Sequence, residues 1–175
     1  MRRGTGAFLC ALSFGLLSGC TRVNETRFLN FDAESTTGAL GAGWSGFEKT
    51  DQNDTFAWCQ GKLGRVSFQC RSGGDRLVRF RCWPFQFPGG GAQSATLFVN
   101  DARLESVPLQ GDVRVYSVLA PAAVFKNGAN EMRFEFTYAE TPKDRVPGST
   151  DERTLAAAFD WIEILPTLPP ATRRS

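Results

Sequence analysis

The chain has 175 residues, 20 of them basic and 18 acidic, and contains no histidine. The missing imidazole excludes His-based triads, His general bases and most zinc sites. A formal charge of +2 supplies no basic excess for neutralising a nucleic-acid backbone.

In chain order, the first element is a targeting segment. Arg2 and Arg3 precede an uncharged apolar run, Ala7 to Ser18, that is too short to span a bilayer. Leu17-Ser18-Gly19-Cys20 closes it and resembles the lipobox of bacterial lipoprotein signals. The resemblance implies diacylglycerol on the Cys20 thiol, cleavage after Gly19 and acylation of the new amine. An ordinary cleaved signal or an uncleaved anchor is the alternative. Two or three acyl chains hold a protein firmly, since each buried methylene contributes about 0.8 kcal/mol. Cleavage leaves the 156 residues Cys20–Ser175, enough for one domain. Losing Arg2 and Arg3 takes Lys+Arg from 20 to 18, equal to the 18 acids. The expected location is the cell envelope. Thr21, rather than Asp, after the cysteine implies the outer membrane by analogy with enteric sorting.

Residues 20–27 read as a lipidated tether, 28–166 as a β-sandwich and 167–175 as a disordered tail. Phe28 to Phe31 is the first predicted strand. Gly38 to Asp54, rich in Gly, Asp and Asn, reads as a loop around Trp44. Thr55–Cys59 and Arg65–Cys70 alternate with period two, as does Arg76–Phe87 with its interleaved arginines. Ala95–Val99 and Arg103–Val107 form a hairpin across Asn100-Asp101, residues that tolerate positive φ. Val113–Leu119 and Glu131–Tyr138 follow, separated by a turn at Lys126–Asn130. A last strand, Ala156–Leu165, stops at Pro166. Roughly eight strands with Gly and Pro turns predict an all-β antiparallel sandwich or jelly roll.

Three stretches carry a family resemblance. They are Gly43-Trp44-Ser45 with Phe56-Ala57-Trp58, the segment Arg79 to Gly89 (RFRCWPFQFPG), and Thr141-Pro142 through Val146-Pro147-Gly148-Ser149 to Ala158-Phe159-Asp160-Trp161-Ile162. Together they resemble the galactose-binding-like β-sandwich module that precedes the catalytic domain of some bacterial sulfatase-like envelope proteins. That resemblance covers roughly Asp32 to Leu165 and implies carbohydrate recognition. The sulfatase nucleophile pattern, Cys-x-Pro-x-Arg, is missing around Cys82, which sits in Cys-Trp-Pro-Phe-Gln. The chain ends before any large α/β domain, so the expectation is a non-catalytic, carbohydrate-binding-like lipoprotein, with a structural or interaction lipoprotein, or an orphaned accessory domain, as the alternative. Its partners would be a membrane through Cys20, a cell-envelope or acidic polysaccharide, or an envelope protein such as a separately encoded hydrolase. No nucleic-acid partner is expected.

The tryptophans divide by local pattern. Trp161 and Trp58 alternate with Phe159 and Phe56 and are assigned to the core. Trp44, in a Gly-rich loop, and Trp83, beside Pro84, are surface candidates for sugar stacking. Phe85 and Phe87 extend that rim. Arg79 and Arg81 share a strand face and could grip sulfate or uronate groups, or else pair with acids on a neighbouring strand. Pro84 and Pro88 cannot donate ladder bonds, so regular pairing is expected to fail beyond Cys82 or survive at an edge. Asp160 lies among apolar residues, where a carboxylate needs a partner. That partner is either an arginine or a structural calcium shared with Asp32 or Glu34. No other cofactor is expected. Cys59, Cys70 and Cys82 are an odd set separated by ten and eleven residues, with no CxxC spacing. Cys82 reads as a buried inert thiol, and a Cys59–Cys70 bridge stays open. Replacing Cys20 by Ala should abolish incorporation of a radiolabelled fatty acid. Equal labelling of wild type and variant would refute the lipoprotein assignment.

Overall fold

The computed structural model describes residues 26–32, 36, 38–71 and 73–167, and within them the alternating runs become ten strands. Cys20 and Glu34 lie outside the described residues. One sheet contains β1 (Arg27–Asn30), β2 (Trp44–Lys49), β3 (Thr55–Gln60), β5 (Arg76–Pro84), β8 (Arg114–Ala120) and β10 (Leu155–Pro166). Its order is β2-β3-β10-β5-β8, and β1 pairs with the part of β10 that β3 leaves uncovered. The second sheet is β4 (Leu63–Cys70), β9 (Gly128–Phe136), β6 (Gln93–Val99) and β7 (Ala102–Leu109), in that order. Every pairing is antiparallel. Among the described residues, helical structure is confined to one turn, α1 (Pro142–Arg145), and a 3-10 turn at Ala122–Val124.

Alternation explains the layering. On β5 the odd positions Leu77, Arg79, Arg81 and Trp83 face outward, while Val78, Phe80 and Cys82 are fully buried between the sheets. Val66, Leu97, Val99, Met132 and Phe134 meet them from the second sheet. Phe159 on β10 is the hub. Its ring lies 4.8 Å from Phe134, 5.2 Å from Trp44 and 5.9 Å from both Phe31 and Phe80. These offset and edge-on contacts are the geometries that aromatic quadrupoles favour.

The buried Asn130 side chain is satisfied locally. The Asn130 amide donates to the Lys126 and Gly128 carbonyls at 2.9 and 2.8 Å, and its oxygen accepts from the Lys126 N–H. Asn100 and Asp101 both take positive φ, as a two-residue hairpin between β6 and β7 requires. The three cysteines are buried thiols with no disulfide, so the Cys59–Cys70 bridge is not made. Burial pushes the Cys59 thiol up to about 12 and the Cys82 thiol higher, leaving both protonated and inert.

Three expectations are corrected here. Gly38–Asp54 is not a continuous loop, because β2 runs through it and Trp44 packs inward. A Cβ on Gly43 would meet the Leu63 carbonyl oxygen at 2.0 Å, and one on Gly64 would meet the Trp44 ring at 2.8 Å. The glycines that suggested a loop are clearances for close packing. The indole N–H then donates to the Arg65 carbonyl at 2.8 Å. Trp58 and Trp161 are not core. Ala57 and Cys59 face inward on β3, so Phe56 and Trp58 face outward. A bulge in β10 leaves Asp160 unpaired between Phe159, opposite Cys82, and Trp161, opposite Arg81. That extra residue reverses the alternation and turns Trp161 outward. Lastly, β9 begins at Gly128, inside the expected Lys126–Asn130 turn.

Phe159→Ala should cost about 3–5 kcal/mol of stability. Urea unfolding followed by tryptophan fluorescence checks it, and a loss below about 1 kcal/mol would remove Phe159 from the centre of the core.

Candidate functional site

The outer face of the six-stranded sheet gathers the side chains that have chemistry. β5 contributes Arg79, Arg81 and Trp83; β10 contributes Trp161, Glu163 and the bulged Asp160. Pairing between β5 and β8 ends at Cys82–Arg114, whereas pairing with β10 continues to Pro84–Ala157. Regular pairing thus survives past Cys82 on one side only, at an edge. Pro84 has no N–H to present to the missing neighbour. The vacated edge opens a cleft of about 270 Å³ beside Trp83.

The cleft is walled by Trp83 and Val113, floored by Arg81 and Asp160, and rimmed by the loop between β2 and β3, including Thr50, Asp51 and Asp54. The loop is held by its own bonds. The Thr50 N–H donates to the Asp54 carbonyl and the Asn53 N–H to the Thr50 carbonyl, both at 2.9 Å, and Asn53 takes positive φ. Trp83 is braced from behind, its ring 5.1 Å from Phe56 and 6.4 Å from Trp58. An indole fixed on one side and open on the other is a stacking surface.

Arg81 forms a hydrogen-bonded ion pair with Asp160, and the same Nη1 lies 3.6 Å from Asp54. Asp160 is almost fully buried. Desolvation pushes its carboxyl above the ordinary aspartate value, and Arg81 pulls back only part of the way. Arg79 pairs with Glu163 at 3.0 Å and lies 5.7 Å from the Trp161 ring centre, outside the cleft. Both arginines share a face, as expected. Both are already neutralised by acids on a neighbouring strand or loop, so neither is a free cation awaiting an acidic sugar.

Of the expected site residues, the structure brings together Arg81, Trp83 and Asp160 and separates the rest. Trp44 is interior. Phe85 is buried, packed 6.2 Å from Trp58, with its carbonyl accepting from the Tyr138 hydroxyl at 2.8 Å. Phe87 is half-buried against Tyr138 and Arg145, away from the cleft. The expected rim of three aromatics reduces to Trp83. The expected calcium grouping includes Glu34, which lies outside the described residues, and its other two members are engaged elsewhere. Asp160 is directed to Arg81, Asp32 accepts from the Asn30 amide at 2.7 Å, and no three ligating side chains converge among the described residues. Asp54 and Val113 were not anticipated, since one reads as a turn residue and the other as a strand start.

The two-sheet architecture has known counterparts. The C-terminal CBM6 of LamC, a marine laminarinase from Zobellia galactanivorans, superposes with a TM-score of 0.50 at 10% identity, over 81% of this chain and 99% of that one. A family 35 carbohydrate-binding module from Clostridium thermocellum gives 0.51 at 11% identity, over 79% and 98%. The fold resembles the β-sandwich of these modules. A GH115 4-O-methyl-α-glucuronidase, BtGH115A, with specificity for decorated arabinogalactans, contains a similar region. There the TM-score is 0.52 at 12% identity, over 96% of this chain but 20% of that enzyme. No protein-family profile and no curated protein matches the sequence.

The Asp160 shift has a defined sign. Its folded-state pKa lies above the unfolded value, so its contribution to stability is full in acid and falls away as pH rises through the shifted value. Comparing wild type with Asp160→Asn by thermal unfolding, the difference in Tm should favour wild type most near pH 3 and shrink as pH climbs above about 4. A difference that grows with pH would mean that attraction to Arg81 outweighs desolvation.

Proposed function

We propose that this chain is a lipid-anchored, non-catalytic envelope protein whose sandwich binds a polysaccharide in the cleft beside Trp83. The observation that carries the reading is the braced, half-exposed indole facing Arg81, Asp54 and Asp160 on a carbohydrate-binding-module fold. A pyranose presents a flat C–H face to an aromatic ring and hydroxyls at its edge. An indole wall with carboxylates and a guanidinium around it matches both. The cleft is near the small end of the ~300–1,000 Å³ range of ligand pockets, which suits one or two sugar rings. The lipobox-like segment supports anchoring through Cys20, and the outer membrane is the proposed location.

A second reading has its own observation. Phe28, Val115 and Leu119 are exposed on the same outer face, at 53%, 44% and 56%. With half-buried Leu77 and Trp161 they form an apolar strip, the kind of surface that docks a partner protein. Crosslinking from a photoreactive residue at position 119 in cells would reveal such a partner.

Calorimetric titration with envelope and plant-type oligosaccharides tests the first reading. Trp83→Ala should weaken binding at least about tenfold, equivalent to about 1.4 kcal/mol. Leu119→Ser should leave it unchanged. Equal affinity of wild type and Trp83→Ala would move binding away from the cleft.

A further inference from the structure

We infer that the cleft selects amine-bearing sugars over uronate- or sulfate-bearing ones; the inference rests on the saccharide-binding reading above. Its charged lining is Asp51, Asp54 and Asp160 against Arg81, three acids and one base. The base is spent. Arg81 is fixed by Asp160 and faces Asp54 as well, so an incoming carboxylate or sulfate would have to displace one of them. It would also approach Asp51, which has no ion-pair partner among the described residues and lies exposed at the rim. Like-charge juxtaposition is how a site rejects the wrong ligand.

The neighbouring cations do not alter that balance. Arg79 is held by Glu163 and Arg114 by Asp112 at 2.8 Å, while Lys49 keeps its charge, donating to the neutral Asn53 amide at 3.0 Å. None of the three lines the cleft. An ammonium group on a sugar whose ring lies on Trp83 would find Asp51 and Asp54 on the loop opposite. It would replace water around two partly solvated carboxylates without breaking an existing ion pair other than the 3.6 Å contact to Arg81. Hydroxyl-only sugars lose nothing to repulsion and gain nothing from attraction. The order of affinity is then amine-bearing, neutral, acidic.

The experiment uses the full lipoprotein in detergent and three tetrasaccharides of similar size. These are β-1,4-linked glucosamine, its N-acetylated counterpart, and α-1,4-linked galacturonate. By calorimetry at low salt, the glucosamine tetrasaccharide should bind about fivefold or more tighter than the N-acetylated one, and galacturonate should be weakest. Raising ionic strength should compress the first ratio toward one. Asp51→Asn should reduce that ratio, and Asp51→Asn with Asp54→Asn should erase it. Asp101→Asn, at the distant hairpin, should leave the ratio as in wild type. Galacturonate binding as tightly as glucosamine, a neutral sugar binding best, or a ratio insensitive to Asp51 and Asp54 would each overturn the inference while leaving saccharide binding in place. Binding of none of the three sugars would overturn the saccharide reading and the inference with it.

Discussion

One backbone irregularity organises both the core and the outer face: the bulge at Asp160. In a regular strand Phe159 and Trp161 would share a face, and Asp160 would oppose them. The inserted residue keeps Phe159 inward, turns Trp161 outward, and returns Ile162 and Ile164 to the core. The aspartate between them is unpaired in the β5 ladder, while its carbonyl accepts from the Phe31 N–H at 2.8 Å. A carboxylate that close to the core is costly unless charge-paired, and Arg81 is the cation that its direction selects. Core hub and cleft floor are adjacent residues. Loss of the bulge would exchange an aromatic core side for a tryptophan face and move the acid away from Arg81.

The cleft also needs an unfilled position in the sheet, and the first sheet supplies it by uneven strand lengths. β8 starts at Arg114 while β5 continues to Pro84, so the last residues of β5 have a neighbour on the β10 side only. Pro84 makes that asymmetry inexpensive, since it has no N–H to leave unpaired. Phe56 and Trp58 then pack behind and beside Trp83, giving its ring one supported face, and Phe85 packs in turn on Trp58. The same row of rings continues through Phe87 to Tyr138. This explains why Phe85 and Phe87 are structural members of the wall rather than its working surface.

Much of the architecture was legible in the sequence because period-two alternation survives wherever strands are regular. The hairpin at Asn100-Asp101, the outward row Arg79-Arg81-Trp83 and the buried Cys82 follow from that alternation and from turn chemistry. The tryptophans were mostly not legible. Trp161 was misplaced by a bulge, which inserts one residue with no sequence marker. Trp44 was misplaced because Gly43 and Gly64, read as loop signals, instead clear space for its indole. Trp58 was misplaced because Phe-Ala-Trp-Cys gives two readings, and small Ala57 and Cys59 take the core side against Phe159. The site itself is a matter of register. Asp54, Arg81 and Asp160 are far apart in sequence, and only the pairing of β3 and β5 with β10 brings them together.

The arrangement has a thermodynamic consequence for any ligand of the cleft. Binding normally costs side-chain and loop ordering, and most of that ordering is complete before a ligand arrives. Trp83 is clamped by two rings, and Arg81 is fixed by one carboxylate and approached by a second. The β2–β3 loop is closed by backbone bonds between Thr50, Asn53 and Asp54. Of the charged residues in the lining, Asp51 is the one without such a tether. A preorganised wall of this kind favours shape and charge discrimination over adaptability, because its groups cannot swing to suit a ligand of the wrong sign. The neutralised arginines therefore exert their influence as fixed structure. On the proposed reading, a ligand would differ from another in how it meets the indole and the loop carboxylates.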